Sequence, residues 1–222
     1  MTLNKGIRLA AVLVGVGSTM GAFAQIYNFR SDFSITNGNP NGAWTYGWQT
    51  GLGSAFTVYA DSLDNGSHTL WYTTGMSGDN TPSAFLNHSG GTINGVLDGE
   101  AGLHGGYYGE MSVARLTVEN GGTASVSGVF GAGDSGAVDV HVVHNGSSLL
   151  STYGTYAAQA FDFDFAVSAG DTIDFVVGTY DGYHYDSTPL DATIEVVPEP
   201  VSLSLYGLGL GVATLLRRRR VR

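Results

Sequence analysis

The chain has 222 residues, of which 34 are glycine and none is cysteine, and its formal net charge at pH 7 is −10. Seven of the nine Lys and Arg residues lie at the two ends, so residues 25–200 carry two basic and 19 acidic side chains, a formal charge of −17. Such a surface excludes nucleic acid and anionic lipid as partners but leaves neutral polymers and cations open. The lack of cysteine excludes a disulfide framework and a thiol nucleophile.

The first 24 residues have the three parts of a secretory signal peptide. Lys5 and Arg8 form a basic start, an apolar stretch covers 9–21, and the tripeptide A-F-A at 22–24 has small residues at both selective positions of a cleavage site. We predict a signal helix that is removed after Ala24. A permanent anchor is the alternative, but the apolar stretch is too short and too rich in glycine for one.

Residues 25–197 have the pattern of one all-β domain. Eight Asn-Gly or Asp-Gly pairs divide it, and such pairs accept the positive φ angles of tight hairpin turns. Between them, apolar and polar residues alternate, as at Phe161, Phe163 and Phe165, and no helical period is sustained. We predict an antiparallel, jelly-roll-like β-sandwich. The predicted strands cover 43–49, 55–60, 68–73, 112–119, 123–130, 138–142, 147–153, 161–165, 173–175 and 192–197, and 75–109 is predicted as long loops.

Several strand and turn motifs of the body occur in a recognisable order. They include N-P-N-G at 39–42, V-D-V-H-V at 138–142, A-G-D-T-I-D-F-V-V at 169–177 and D-A-T-I at 191–194. This order resembles an uncharacterised β-sandwich module of exported bacterial proteins, which is similar to galactose-binding-like jelly rolls and carbohydrate-binding modules. The resemblance covers residues 27–196 and implies the same fold and a sugar-binding role.

The body has no catalytic motif. A G-x-S-x-G turn is absent, and the acidic residues form no pattern typical of glycoside hydrolysis. His141 and His144 form an H-x-x-H pair, but residues three apart on a strand face opposite sides of the sheet. We therefore predict that the protein is not an enzyme, and a small glycan-active enzyme is kept as a minor alternative.

Aromatic side chains are the candidate glycan contacts, because sugar rings stack their flat C–H faces on them. In one group, on a strand, alternate aromatic residues lie on the same face about 6.6 Å apart. Burial of these rings in the core is favoured over contact with a glycan. A second group lies in loops, where binding residues concentrate. The candidates are Trp44, Tyr46 and Trp48 on the strand, and Tyr107, Tyr183 and Tyr185 in loops.

Carboxylates at turn positions raise the hypothesis of a structural calcium ion. Ca²⁺ takes six to eight oxygen ligands, which loops rich in Asp, Asn and carbonyl groups supply. Ordinary solvated turn acids are the favoured alternative, because Asp is a good turn former. The candidate ligands are Asp61, Asp64, Asp134, Asp139, Asp181 and Asp186.

The last 25 residues combine three features. They are the tripeptide Pro198-Glu199-Pro200, a weakly apolar run over 201–216, and the cluster Arg217, Arg218, Arg219 and Arg220. As a helix the run spans about 24 Å, so it crosses a membrane of about 30 Å only if the arginines snorkel at the cytoplasmic end. The two prolines keep the tripeptide extended outside that helix.

This ending resembles the PEP-CTERM protein-sorting signal, which implies a domain plan of 1–24, 25–197 and 198–222. The resemblance implies recognition by an exosortase, transient anchoring in the inner membrane, and delivery to the outer surface or the extracellular space. It also implies association with exopolysaccharide or biofilm. A plain tail anchor is the alternative.

Three functions are therefore open. The first is a non-catalytic surface module that binds neutral polysaccharide. The second is a passive structural or adhesive coat protein. The third is the small glycan-active enzyme.

Overall fold

The computed structural model describes residues 23–199. Most of the predicted signal helix lies outside these residues, and so does the sorting signal from Pro200 onward, including the apolar run and the arginine cluster. Within 23–199, no helix has the length and apolar character needed to cross a membrane.

The described chain consists of short strands and one four-residue helix, which agrees with the predicted all-β class. The elements are β1 (Gln25–Asn28), α1 (Phe29–Asp32), β2 (Trp44–Gln49), β3 (Thr57–Val58), β4 (Asp61–Asp64), β5 (His68–Tyr72), β6 (Ser83–Asn87), β7 (Ala101–His104), β8 (Met111–Thr117), β9 (Gly122–Phe130), β10 (Val138–His144), β11 (Ser147–Thr155), β12 (Gln159–Val167), β13 (Thr172–Thr179) and β14 (Thr188–Pro198).

The strands form two sheets with antiparallel pairing. The first sheet has the order β12-β9-β14-β7-β6-β5-β4, and the second has the order β11-β10-β13-β8-β2-β3. Strand β14 pairs with β9 on one side and, on the other, with β7 at its start and β1 near its end. The first and last strands of the described chain are therefore neighbours.

One hydrophobic cluster joins the two sheets. Period-two alternation places Val126 and Ile194 of the first sheet and Val140 and Phe175 of the second in this cluster, and all four are fully buried. Alternating residues of β9, such as Ser125 and Ser127, are exposed, as expected for a strand with one face in the core.

The aromatic strip of β2 belongs to this core. Trp44 and Tyr46 are 1% and 0% exposed, and Trp44 packs against Phe175 with ring centroids 6.1 Å apart. Burial also raises the pKa of Tyr46. Trp48 is partly buried against the same cluster. Trp44 and Tyr46 are therefore core residues rather than glycan contacts, as the area argument favoured.

The prediction of long loops over 75–109 was wrong in two places, because β6 and β7 lie there and extend the first sheet. Strand β6 contains Phe85 and Leu86 side by side, so it lacks the alternation that marks a strand. Strand β7 contains Gly102, at which a Cβ would lie 2.7 Å from the carbonyl oxygen of Thr188. Gly102 is needed because β7 and β14 lie close together at this point. In the sequence, however, a glycine indicates a loop, which is why β7 was not predicted.

The turn between β10 and β11 confirms the predicted hairpin. Asn145 and Gly146 have φ angles of 48° and 79°, which both fall in the left-handed region. A two-residue turn of type I′ requires this conformation, and Asn-Gly adopts it readily.

Candidate functional site

A cleft with a volume of about 340 Å³ lies over the first sheet along β5, β6 and β7. Its floor includes Leu70 and Phe85, which are directly paired across β5 and β6, and the adjacent pair His68 and Asn87. Alternate residues of the same strands, such as Ala84, belong to the core. The cleft therefore occupies the face of this sheet that is turned away from the core.

Loops distant in sequence supply the walls of the cleft. They contribute Asp79, Asn94, Asp134 and all of the segment 183–187 except Asp186. Tyr183 connects two of these loops, because its hydroxyl donates a hydrogen bond of 2.8 Å to Asp79 Oδ2, 104 residues earlier. This bond raises the pKa of Tyr183.

Tyrosines form an exposed aromatic rim beside the cleft. The rings of Tyr107 and Tyr183 meet edge to face with centroids 4.8 Å apart, and Tyr107 and Tyr108 meet in the same way at 4.8 Å. Tyr107 is 53% exposed and Tyr108 is 75% exposed. A contiguous cluster of exposed aromatic groups, unlike a single one, is typical of a binding surface. The three side chains are called the tyrosine rim below.

The loop that carries Tyr107 and Tyr108 is fixed by its own hydrogen bonds. Gly106 N donates to the carbonyl oxygen of Glu110 at 2.7 Å, and Tyr108 N donates to Glu110 Oε2 at 2.9 Å. The rings are thus presented by a preorganised turn, which lowers the entropy cost of binding.

Two histidines of the cleft, His68 and His104, have lowered pKa values, which favour the neutral form of the side chain. Burial lowers the pKa of His104, whose Nδ1 donates to the carbonyl oxygen of Gly105 at 2.7 Å. Burial also lowers the pKa of His68 on the floor of the cleft. Both side chains can therefore offer hydrogen bonds without adding positive charge at pH 7.

Of the loop tyrosines predicted from the sequence, the structure brings Tyr107 and Tyr183 together, and Tyr185 lines the cleft. Tyr185 has a φ angle of +67°, which is uncommon for a bulky residue and accompanies functional sites. Sequence reasoning missed Asp79 and His104, since no local pattern indicates that they would meet Tyr183.

The acidic residues proposed for calcium do not form one site. Asp61 accepts a hydrogen bond from Thr74 N, and Asp64 lies 3.2 Å from Nε2 of His88. Residues 23–199 contain no group of three or more His, Asp or Glu side chains close enough to hold a metal ion. The H-x-x-H pair is likewise divided, because His141 contacts Ser151 and His144 contacts Asp171.

One acidic residue is nevertheless unusual. Asp186 is 0% exposed, and neither of its carboxylate oxygens has a hydrogen-bond partner within the described chain. Burial, together with the negative charges of Asp181, Asp134 and Asp139, raises its pKa to about 7. All four were candidate calcium ligands, but they do not form a group close enough to hold a metal ion.

Backbone oxygens lie close to this carboxylate. A Cβ at Gly136 would collide with Asp186 Oδ1 and would lie 2.7 Å and 2.8 Å from the carbonyl oxygens of His184 and Tyr185. The loop therefore packs so tightly around this carboxylate that residue 136 has no room for a side chain.

Comparison with known proteins gives only distant likenesses. No family model matches the chain, and no curated protein matches it. Solved structures with partial likeness include a family 35 carbohydrate-binding module from Clostridium thermocellum, with 12% identity over 46% of this chain and 83% of that chain and a TM-score of 0.31. CBM35 from Paenibacillus barcinonensis has 14% identity over 61% of this chain and 98% of that chain, with a TM-score of 0.30. Pika GITRL has 17% identity over 39% of this chain and 74% of that chain, with a TM-score of 0.31. TM-scores this low carry no argument about function.

Proposed function

We propose that residues 25–197 form a non-catalytic module that binds polysaccharide in the cleft. The observation that supports this most is the tyrosine rim. Its exposed rings Tyr107 and Tyr108 and the half-buried Tyr183 lie beside a cleft lined by carboxylate, amide and imidazole groups. Aromatic faces and a few well-placed polar groups are what a sugar ring requires, since its C–H faces stack and its hydroxyl groups hydrogen-bond.

The contacts of Tyr183 explain how the rim would hold a ligand. Its hydroxyl is bonded to Asp79 and its ring meets Tyr107, so few new degrees of freedom are lost when a sugar stacks on it. A passive coat protein gains nothing from a rigid exposed aromatic group. The exposed rim therefore favours the binding module over the coat protein.

We propose in addition that the protein is exported and sorted by an exosortase, as its two end segments suggest. It would be anchored transiently in the inner membrane and released to the outer surface, where polysaccharide of the matrix is the available ligand. Intact-mass measurement of the exported form tests this. A mass lacking residues 1–24 and the arginine cluster is expected, and retention of that cluster would favour a plain tail anchor.

A binding experiment tests the module. We expect the exported protein to bind members of a glycan array and the variant Tyr107→Ala with Tyr183→Ala to lose at least about tenfold in affinity. Tyr156→Ala is the matched control, because Tyr156 is 62% exposed in another loop. It should bind as the wild type does.

Two results would contradict the proposal. Binding to no glycan would leave the passive coat protein as the better explanation. Release of new reducing ends during incubation with a bound glycan would show an enzyme instead. Thermal unfolding of both variants should be measured alongside, so that loss of binding is not confused with loss of the fold.

A further inference from the structure

The cleft carries negative charge without any basic side chain nearby. Asp79 and Asp134 line it. Residues 23–199 contain no lysine and only two arginines. Arg115 forms hydrogen bonds of 2.7 Å and 2.8 Å with Asp174 in the second sheet, and Arg30 lines a different cavity. The ligand of this cleft therefore meets uncompensated carboxylates.

Two of the three histidines that line the cleft, His68 and His104, do not change this negative charge. Burial keeps the pKa of His104 and of His68 below the usual value, so both are neutral at pH 7. The formal charge of −17 over residues 25–200 adds a long-range field of the same sign. Sugar acids would be repelled, whereas a cationic ligand would be attracted.

Asp79 and Tyr183 are arranged as a pair. The hydroxyl of Tyr183 donates to Asp79 Oδ2 at 2.8 Å, which fixes the carboxylate beside the tyrosine ring. Asp79 is otherwise exposed, so its other oxygen can accept a hydrogen bond from a ligand. An ammonium group is attracted both by the face of an aromatic ring and by a carboxylate, and its hydrogen bonds to a carboxylate are about twice as strong as neutral ones.

We propose that the cleft selects polysaccharides whose hexosamine units carry free amines over neutral and acidic glycans. In this arrangement the sugar ring stacks on the tyrosine rim and its ammonium group donates to Asp79. The inference rests on the proposed function of the module and names the class of glycan that it takes.

The test uses two ligands that differ only in the amine. Hexamers of β-1,4-linked glucosamine and of its N-acetylated form share one backbone, and isothermal titration measures their affinity for the exported protein. We expect the wild type to bind the glucosamine hexamer at least about tenfold more tightly. Asp79→Asn should remove most of this preference, because its amide oxygen still accepts the hydrogen bond of Tyr183 but carries no charge.

A matched variant separates selection from general attraction between a polycation and an acidic protein. Asp162 is exposed on β12, outside the cleft, so Asp162→Asn removes the same charge from a different surface. It should keep the preference of the wild type. Equal losses in the two variants would overturn the inference, because the attraction would then be non-specific.

Two further outcomes test whether the cleft selects glycans with free amines. Equal affinity for both hexamers in the wild type would overturn the selection of amines and leave the proposed module intact. Binding to neither hexamer and to no other glycan would overturn both the module and its specificity.

Discussion

The buried carboxylate of Asp186 should make the stability of the protein depend on pH in an unusual direction. Its pKa of about 7 lies some three units above the ordinary value of 3.8. Between these values the folded protein holds a proton that the unfolded chain has lost, so folding is favoured at lower pH. The free energy of unfolding should therefore decrease as the pH rises from about 4 to above 7.

The size of the effect follows from the shift. One pKa unit corresponds to about 1.4 kcal/mol, so full titration of this group changes the free energy of unfolding by about 4 kcal/mol. Between pH 5 and pH 8.5, about 3 kcal/mol of this is lost. For a domain of this size, this corresponds to a decrease in melting temperature of about 6–12 °C.

Asp186→Asn is the perturbation that isolates the group, because the amide has the same shape and stays uncharged. The histidines His68, His104 and His141, which are half-buried or buried, have lowered pKa values and act in the opposite direction, since they favour folding as the pH rises. These contributions cancel when the variant is compared with the wild type.

Urea unfolding followed by circular dichroism at pH 5 and pH 8.5 measures the difference. The wild type should lose about 3 kcal/mol more than Asp186→Asn over this interval. Asp162→Asn, which removes an exposed carboxylate, should behave as the wild type. The reasoning is refuted if the wild type and Asp186→Asn have parallel pH profiles.

Three other predictions concern calcium, the core and the link between the cleft loops. If the calcium hypothesis from the sequence holds for Asp186, millimolar Ca²⁺ at pH 8.5 should raise the melting temperature of the wild type but not of Asp186→Asn, and a melting temperature unaffected by calcium and by chelator would refute it. Trp44→Ala should lower the free energy of unfolding by about 3–5 kcal/mol, as measured by urea unfolding, and a loss below about 1 kcal/mol would be incompatible with its burial. Tyr183→Phe keeps the ring but removes the bond to Asp79, so it should weaken glycan binding by less than Tyr183→Ala in the same titration.

The fold class could be predicted from the sequence because its signals are local. Alternation at Phe161, Phe163 and Phe165 marked β12, and Asn145-Gly146 marked a hairpin. Strands β6 and β7 escaped prediction because their stability depends on neighbours. Phe85, for example, lies against Gly102 of the adjacent strand, and this fit is invisible until the two strands are paired.

The cleft could be predicted only in part. Loop tyrosines such as Tyr107 and Tyr183 stand out because exposed aromatic groups near turns are binding candidates. Their partner Asp79 has no distinguishing feature in the sequence, and it gains a role only because the fold places it 2.8 Å from a hydroxyl 104 residues away. Asp186 was proposed as a turn acid, and its full burial depends on the packing of the 133–136 loop around it.

Because β1 pairs with β14, the first strand of this domain can be incorporated only after the last strand is available. Gln25 lies opposite Val196, so the first strand cannot take its place until nearly the whole body of the chain is available. Such long-range pairing predicts slow folding, because a large loop must close before the contacts form. The segment 183–187, which completes the cleft, directly precedes β14. A chain that emerges from its amino end would therefore complete its first sheet and its binding surface together, at the end of emergence.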